Sequence, residues 1–273
     1  MTRPTRSVAD EMTDDLGPEF TAPPPEGWQE LVTRIYEPAR IKAGLISLTN
    51  DPSAEIDMHA YLAPFEGIRL STNRVYSPQY SNMDSLIAVG KDIAASAAAL
   101  MPDDKLDVLA FGCTSAAMAL GSETVARDIR KHKPETTVTD PIASVLKALD
   151  VLEVRRLALI TPYIGEVNVG IADFFEAQGL KLTDKAFFRI FDDNQRNRLS
   201  LESYLRAVET INTAECDAIF ISCTALATAP FVALIEAEAG CPVITSNQAL
   251  AWNLMRLGGH EGTTDRFGKL FTL

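Results

Sequence analysis

The chain has 273 residues, 47% of them hydrophobic and 23% charged, enough for one large domain or two smaller ones around a real core. Its 37 acidic side chains outnumber 25 basic ones, and the net charge of −12 speaks against a nucleic-acid partner, whose phosphates need a basic surface. The opening residues MTRPTRSVADEMTDD hold no apolar segment, and no uninterrupted run of 18 apolar residues occurs, so the expectation is a cytoplasmic protein with no leader and no membrane span.

Residues 1–38 differ from the rest. Pro18, the run Pro23-Pro24-Pro25 and many acids predict a partly disordered extension, with one short helix around Trp28 to Tyr36. Strands and helices then alternate. Ile41 to Leu48 and Ile68 to Val75 read as strands, Asp84 to Leu100 as a long Ala-rich helix, and Asp107 to Gly112 as a buried strand. Ser115 to Lys131 reads as helix, Thr136 to Thr139 as strand, and Pro141 to Leu149 as a helix with proline in its first turn. The order restarts with a strand at Arg156 to Thr161 and a helix from Val167 to Gln178 that Gly179 ends. Lys185 to Phe191, Asp217 to Ser222 and Pro242 to Thr245 follow as strands. Leu199 to Asn212, Ala229 to Ala239 and Asn247 to Leu257 follow as helices. Near-continuous apolar strands separated by helices predict an α/β fold, with a parallel sheet flanked on both faces.

The restart is a repeat. DVLAFGCTSAA starts at Asp107 and DAIFISCTALA at Asp217, about 110 residues later, each with Cys-Thr six residues after its Asp. TVTDPIA from Thr137 and VITSNQA from Val243 form a second pair, and GLIS from Gly44 and ALIT from Ala158 a looser third, in the same order. Such spacing predicts two pseudo-symmetric lobes from an internal duplication, each a parallel sheet flanked by helices. The expected division is 39–153 for the first lobe, with the returning helix 247–260, and 154–246 for the second.

Four cysteines occur, none in a CxxC pair, and three histidines, so no metal site is expected. Cys216 and Cys241 lack a Cys-Thr context and read as structural. Cys113 and Cys223 each follow a buried strand, at the carboxyl edge where α/β sheets bind ligands, and are followed by small polar residues. A helix start after each would lower the thiol's pKa. Two thiols facing one another can act as base and acid on opposite faces of a small substrate. Alternatively, one adds to a substrate carbon while the other group manages the proton. Thr114, Ser115, Thr224 and Ala225 sit where hydroxyl or backbone groups could hold a carboxylate, and the same hydroxyls could equally cap helices.

The segments FGCTSAAMALG, SCTALATAP and PVITSNQALAWNLMRLGG resemble the aspartate/glutamate racemase superfamily, over roughly Arg40 to Gly259. TSNQALAW and the TPY at Thr161 to Tyr163 are similar to the branch holding maleate cis-trans isomerase, arylmalonate decarboxylase and a related ectoine-utilisation protein. The resemblance implies two lobes with the active site between them and a last helix crossing back to the first. It also implies a cofactor-independent isomerase of a small carboxylate or dicarboxylate, assembled as a homo-oligomer, dimer or tetramer. Cys113 would be the nucleophile and Cys223 the proton donor or acceptor, with Asn50, Tyr163 and Asn194 holding the substrate and Asn197 a rival for the Asn194 match. Two departures bear on the chemistry. Arylmalonate decarboxylases have Gly at the first cysteine, so Cys113 argues against decarboxylation. Amino-acid racemases show Cys-Asn-Thr and Cys-Thr-His, where this chain has Cys-Thr-Ser and Cys-Thr-Ala. Racemisation or epimerisation of an amino acid derivative stays the close alternative; a decarboxylase and a non-catalytic carboxylate-binding protein stand behind it.

Overall fold

The computed structural model describes residues 26–29, 39–78, 82–190 and 192–273. Most of the N-terminal extension, including nearly all of the helix expected around Trp28 to Tyr36, lies outside the described residues, and Trp28 itself is exposed.

From residue 39 onward the chain builds two four-stranded parallel sheets. The first takes β1 (Ile41–Leu48), β2 (Ile68–Val75), β3 (Val108–Gly112) and β4 (Thr137–Thr139) in the order β2-β1-β3-β4. The second takes β5 (Arg156–Thr161), β6 (Lys181–Phe187), β7 (Ala218–Ile221) and β8 (Val243–Thr245) in the order β6-β5-β7-β8. The identical order is the repeat seen in the sequence, now in space. It reaches single hydrogen bonds. Asp107 accepts the Lys42 N–H at 2.8 Å and returns its own N–H to the Lys42 carbonyl. Asp217 does the same with Arg156, at 2.7 Å in each direction. Each Asp thereby sets the register of a central strand whose far end, six residues on, delivers a cysteine.

The first half contains helices α1 (Ala54–Leu62), α2 (Met83–Ala88), α3 (Gly90–Ala99), α4 (Thr114–Leu120), α5 (Ser122–Arg130) and α6 (Pro141–Val151). The second contains α7 (Gly165–Ala177), α8 (Asp193–Arg196), α9 (Leu201–Glu209), α10 (Val232–Ala239) and α11 (Ser246–Leu257). A 3-10 turn, Lys269–Thr272, closes the chain. Helix α11 follows the last strand of the second sheet yet packs against α6, α1 and β3 of the first. It is buried nearly all round, from Ser246 to Met255, because it is wedged between the halves.

Several expectations shift. The long helix from Asp84 is two helices, α2 and α3, meeting at Val89. The helix from Ser115 is broken at Gly121, which sits at φ 80°, a conformation favourable only to glycine. No element bounds are predicted for the stretch that forms helix α1. It begins where Asp51 accepts the Ser53 and Ala54 N–H groups, a cap that a short polar stretch does not announce. The strand expected at Lys185 to Phe191 lies earlier, at β6. It is an edge strand of half-exposed residues with a register shift opposite Leu157 to Leu159, so its apolar pattern is weak and the following AFFRIF misleads.

Candidate active site

The carboxyl ends of β1, β3, β5 and β7 converge on one small cavity of about 20 Å³. Leu48, Asn50, Asp51, Cys113, Thr114 and Ser115 line it from the first half; Tyr163, Arg196, Cys223, Thr224 and Ala225 line it from the second. A larger cavity of about 310 Å³ lies against β6 and α7, but no thiol lines it.

Cys113 is the residue just before α4, in extended conformation, and its thiol lies 3.7 Å from the Ser115 hydroxyl. The expectation of an acidified thiol fails here. Burial pushes the Cys113 pKa up to about 12, outweighing the Ala116 N–H and Ser115 hydroxyl that favour the thiolate. Cys113 therefore rests as a neutral thiol. Cys223 differs from its counterpart. No helix starts behind it, since α10 begins only at Val232. Its backbone holds φ 126°, a strained conformation for a residue with a Cβ, costing about 1–3 kcal/mol. The Ser246 hydroxyl oxygen accepts its N–H at 2.9 Å and also accepts the Thr114 hydroxyl at 2.8 Å, so one serine at the head of α11 fixes both cysteine turns.

Further bonds bind the two halves around the cavity. Thr224 donates to the Gly112 carbonyl at 3.3 Å, and Ser53 donates to the Ala225 carbonyl at 3.0 Å. Behind them, Asp57 Oδ2 accepts from the Thr228 N–H and hydroxyl and from Asn247, and Asn247 also donates to the Thr224 carbonyl. Ser246 and Asn247 thus hold the cavity's wall from behind and do not line it.

Tyr163 is buried, with its hydroxyl 3.4 Å from Ser222. Burial, and next the Cys223 thiol, hold the phenol well above its usual range, so it stays a neutral donor. Asn168 donates to the Tyr163 carbonyl at 2.9 Å and steadies that turn. Asn50 donates to the Pro78 carbonyl at 2.9 Å. Of the residues picked out in the sequence, Asn50, Thr114, Ser115, Tyr163, Thr224, Ala225 and both cysteines meet at this cavity.

Asn194 does not. It is exposed, in α8, and its side chain turns back to Asp192 at 3.2 Å. The residue that α8 sends inward is Arg196, which is buried, with its guanidinium carbon 5.6 Å from the Tyr163 ring centre. Four residues make one helical turn, so only one of them can face the cavity, and the sequence FDDNQRN has no apolar periodicity to say which. Asp51 was also missed, because an Asp after Asn and before Pro reads as turn chemistry. Among the described residues no group of His, Cys, Asp and Glu is placed to hold a metal, and no helix is long and apolar enough to cross a membrane.

The chain is similar to several known proteins. A family model described as arylmalonate decarboxylase matches residues 87–271. The maleate isomerase of Nocardia farcinica is 22% identical over 223 residues, covering 79% of this chain and 89% of that protein. The arylmalonate decarboxylase of Bordetella bronchiseptica is 32% identical over 153 residues, covering 54% of this chain and 62% of that one. Among solved structures, a mutant of the Nocardia farcinica maleate cis-trans isomerase with a covalently bound succinylcysteine intermediate has a TM-score of 0.79 at 21% identity, over 85% of this chain and 98% of that one.

Proposed function

This chain belongs to the arylmalonate decarboxylase family, and we propose that it is a cofactor-independent isomerase of a small carboxylate, acting through Cys113 and Cys223 in the manner of a maleate cis-trans isomerase. The observation that carries this reading is the meeting of two thiols, from equivalent strand ends of the two halves, on one buried cavity. A decarboxylase needs one thiol to reprotonate one face. A second thiol across the cavity suits a reaction that adds on one side and moves a proton on the other.

With a cis-enedioate bound, Cys113 passes its proton to solvent, from which it is regained when the cycle closes, and its sulfur adds to one alkene carbon. The alkene's electron pair passes to the neighbouring carbon, which takes the proton of the Cys223 thiol. The central bond is now single and rotates. Cys223, as thiolate, removes the same proton, the double bond re-forms as trans, and the C–S bond breaks with its electrons returning to Cys113. No atom is gained or lost. Arg196 supplies the site's buried positive charge, which offsets the anion that the Cys113 thiol becomes and suits a substrate carboxylate, while Tyr163 donates a neutral hydrogen bond. The cavity fits one water-sized guest, so a diacid requires its walls to separate. The Arg196 and Asn50 segments lie beyond strand ends, on opposite halves of the chain.

Fumarate formation from maleate, followed by chromatography, tests this directly. The wild type converts maleate, and Cys113→Ala and Cys223→Ala each lose turnover by several orders of magnitude. Because the thiols act as a unit, the double variant is no worse than either single one. Full turnover in Cys113→Ala sinks the two-thiol mechanism. Racemisation of aspartate or an ectoine-derived amino acid, seen as deuterium uptake in D₂O with loss of chirality, would replace it with the racemase reading, and CO₂ release from an arylmalonate with decarboxylation.

A further inference from the structure

Asp51 is the one carboxyl among the groups lining the cavity, and the mechanism above does not use it. It is 3% exposed. Its Oδ1 accepts two N–H groups, from Ser53 at 2.8 Å and Ala54 at 2.9 Å, and its backbone carbonyl accepts Arg74 at 2.8 Å. Its Oδ2 is buried with no hydrogen-bond partner among the described residues. A buried oxygen without a donor is a costly place for negative charge, and a carboxylate there would repel an anionic guest. A proton on Oδ2 removes both costs and provides a donor on a residue that lines the cavity.

We propose that Asp51 receives a ligand carboxylate as an un-ionised acid, donating a hydrogen bond from Oδ2, so that the site takes up a proton when a carboxylate binds. This rests on the carboxylate part of the reading above and not on the isomerisation step. The surrounding groups agree. Burial is the main influence on Asp51 and favours the acid form; the Ala54 and Ser53 N–H groups, the Thr224 hydroxyl and the Arg74 charge oppose it. The other titratable groups facing the cavity are the Cys113 and Cys223 thiols, the Tyr163 phenol and the Arg196 guanidinium. Burial holds Cys113 and Tyr163 neutral, and Arg196 stays charged, while Asp51 is the cavity's one carboxyl and burial raises its pKa, so it is the group whose proton an anionic guest recruits. The sign follows: below its raised pKa Asp51 is an acid and welcomes an anion, and above it the ligand must bring a proton. Affinity then falls with rising pH, by about tenfold per unit.

Titration calorimetry of succinate, which has no double bond to isomerise, tests this at pH 6.5 to 9 in phosphate and in Tris. The two buffers release different heats per proton, and the difference counts protons taken up. The wild type takes up nearly one proton per succinate at the upper end, and its Kd rises about tenfold per pH unit there. Asp51→Asn keeps an oxygen for Ser53 and Ala54 and puts an N–H where Oδ2 was. It binds succinate with no proton uptake and a flat pH profile. Uptake that persists in Asp51→Asn, or its absence in the wild type, overturns the proposal. Should Asp51→Asn not fold, Cys223→Ser decides the source of the proton: uptake unchanged supports Asp51, and uptake lost places the proton on the Cys223 thiol and overturns the proposal. Aspartate binding more tightly than succinate without proton uptake also overturns it, because the carboxylate form would then be recognising an ammonium group. Failure to bind either succinate or maleate sinks the carboxylate reading and the proposal together, whereas binding with proton uptake but no fumarate sinks the isomerase reading alone.

Discussion

Arg196 and Tyr163 show what single residues do in this cavity. The guanidinium lies over the phenol ring, so the arginine's charge and the tyrosine's hydroxyl are presented together, both from the second half. A charged hydrogen bond of this kind contributes about 1.5–3 kcal/mol to binding. Arg196→Gln should therefore raise KM for maleate by about tenfold to a hundredfold with kcat little changed, while Arg196→Lys keeps the charge and recovers part of the loss. If kcat falls and KM stays, Arg196 positions Tyr163 and does not hold the substrate. Neither residue's role is written in its neighbours alone. Tyr163 was picked out through the family resemblance, and it stands at the end of a buried apolar strand, where α/β sheets present their functional side chains. Arg196 was not, because a polar four-residue helix has no strand end to point from.

Elements carry the next layer. Strand β1 lies at the centre of its sheet, and Gly44 within it faces Leu109, Leu100 and Leu106. A Cβ on Gly44 would come within 2.8 Å of Leu100 and 2.9 Å of Leu106, closer than packed carbons approach. Gly44→Ala should cost about 1–3 kcal/mol by overpacking, read as a lower denaturant midpoint with unchanged m-value. An unchanged midpoint would mean that the leucines re-rotamer freely and that this core is looser than its burial implies. Central strands such as β1, β3 and β5 were readable because burial on both faces leaves a near-continuous apolar run. The bounds of edge strand β6 and helix α1 were not, since half-exposed or locally capped segments have weak periodicity.

At the scale of the molecule, the cavity is bounded by both halves, and α11, Ser246 and the Asp57–Asn247 bonds tie those halves behind it. Residues 39 to 273 should therefore unfold in one cooperative transition. Succinate at about a hundred times its Kd should stabilise that transition by about 2.7 kcal/mol, as linkage requires for a ligand of the folded state alone. Calorimetry that resolves two transitions, only one of them moved by succinate, would show that the halves fold independently and that the cavity belongs to one of them.

The sequence by itself determined the duplicated α/β plan and the two cysteines, because repeated motifs and buried apolar runs are local patterns that survive without coordinates. Helix α4 behind Cys113 was legible for the same reason. Only the tertiary structure decided that no helix starts behind Cys223, that burial outweighs the helix end at Cys113, and that Arg196 and Asp51, not Asn194, complete the cavity. Desolvation and side-chain direction depend on what packs from the other half of the chain, and no window of sequence contains both halves at once.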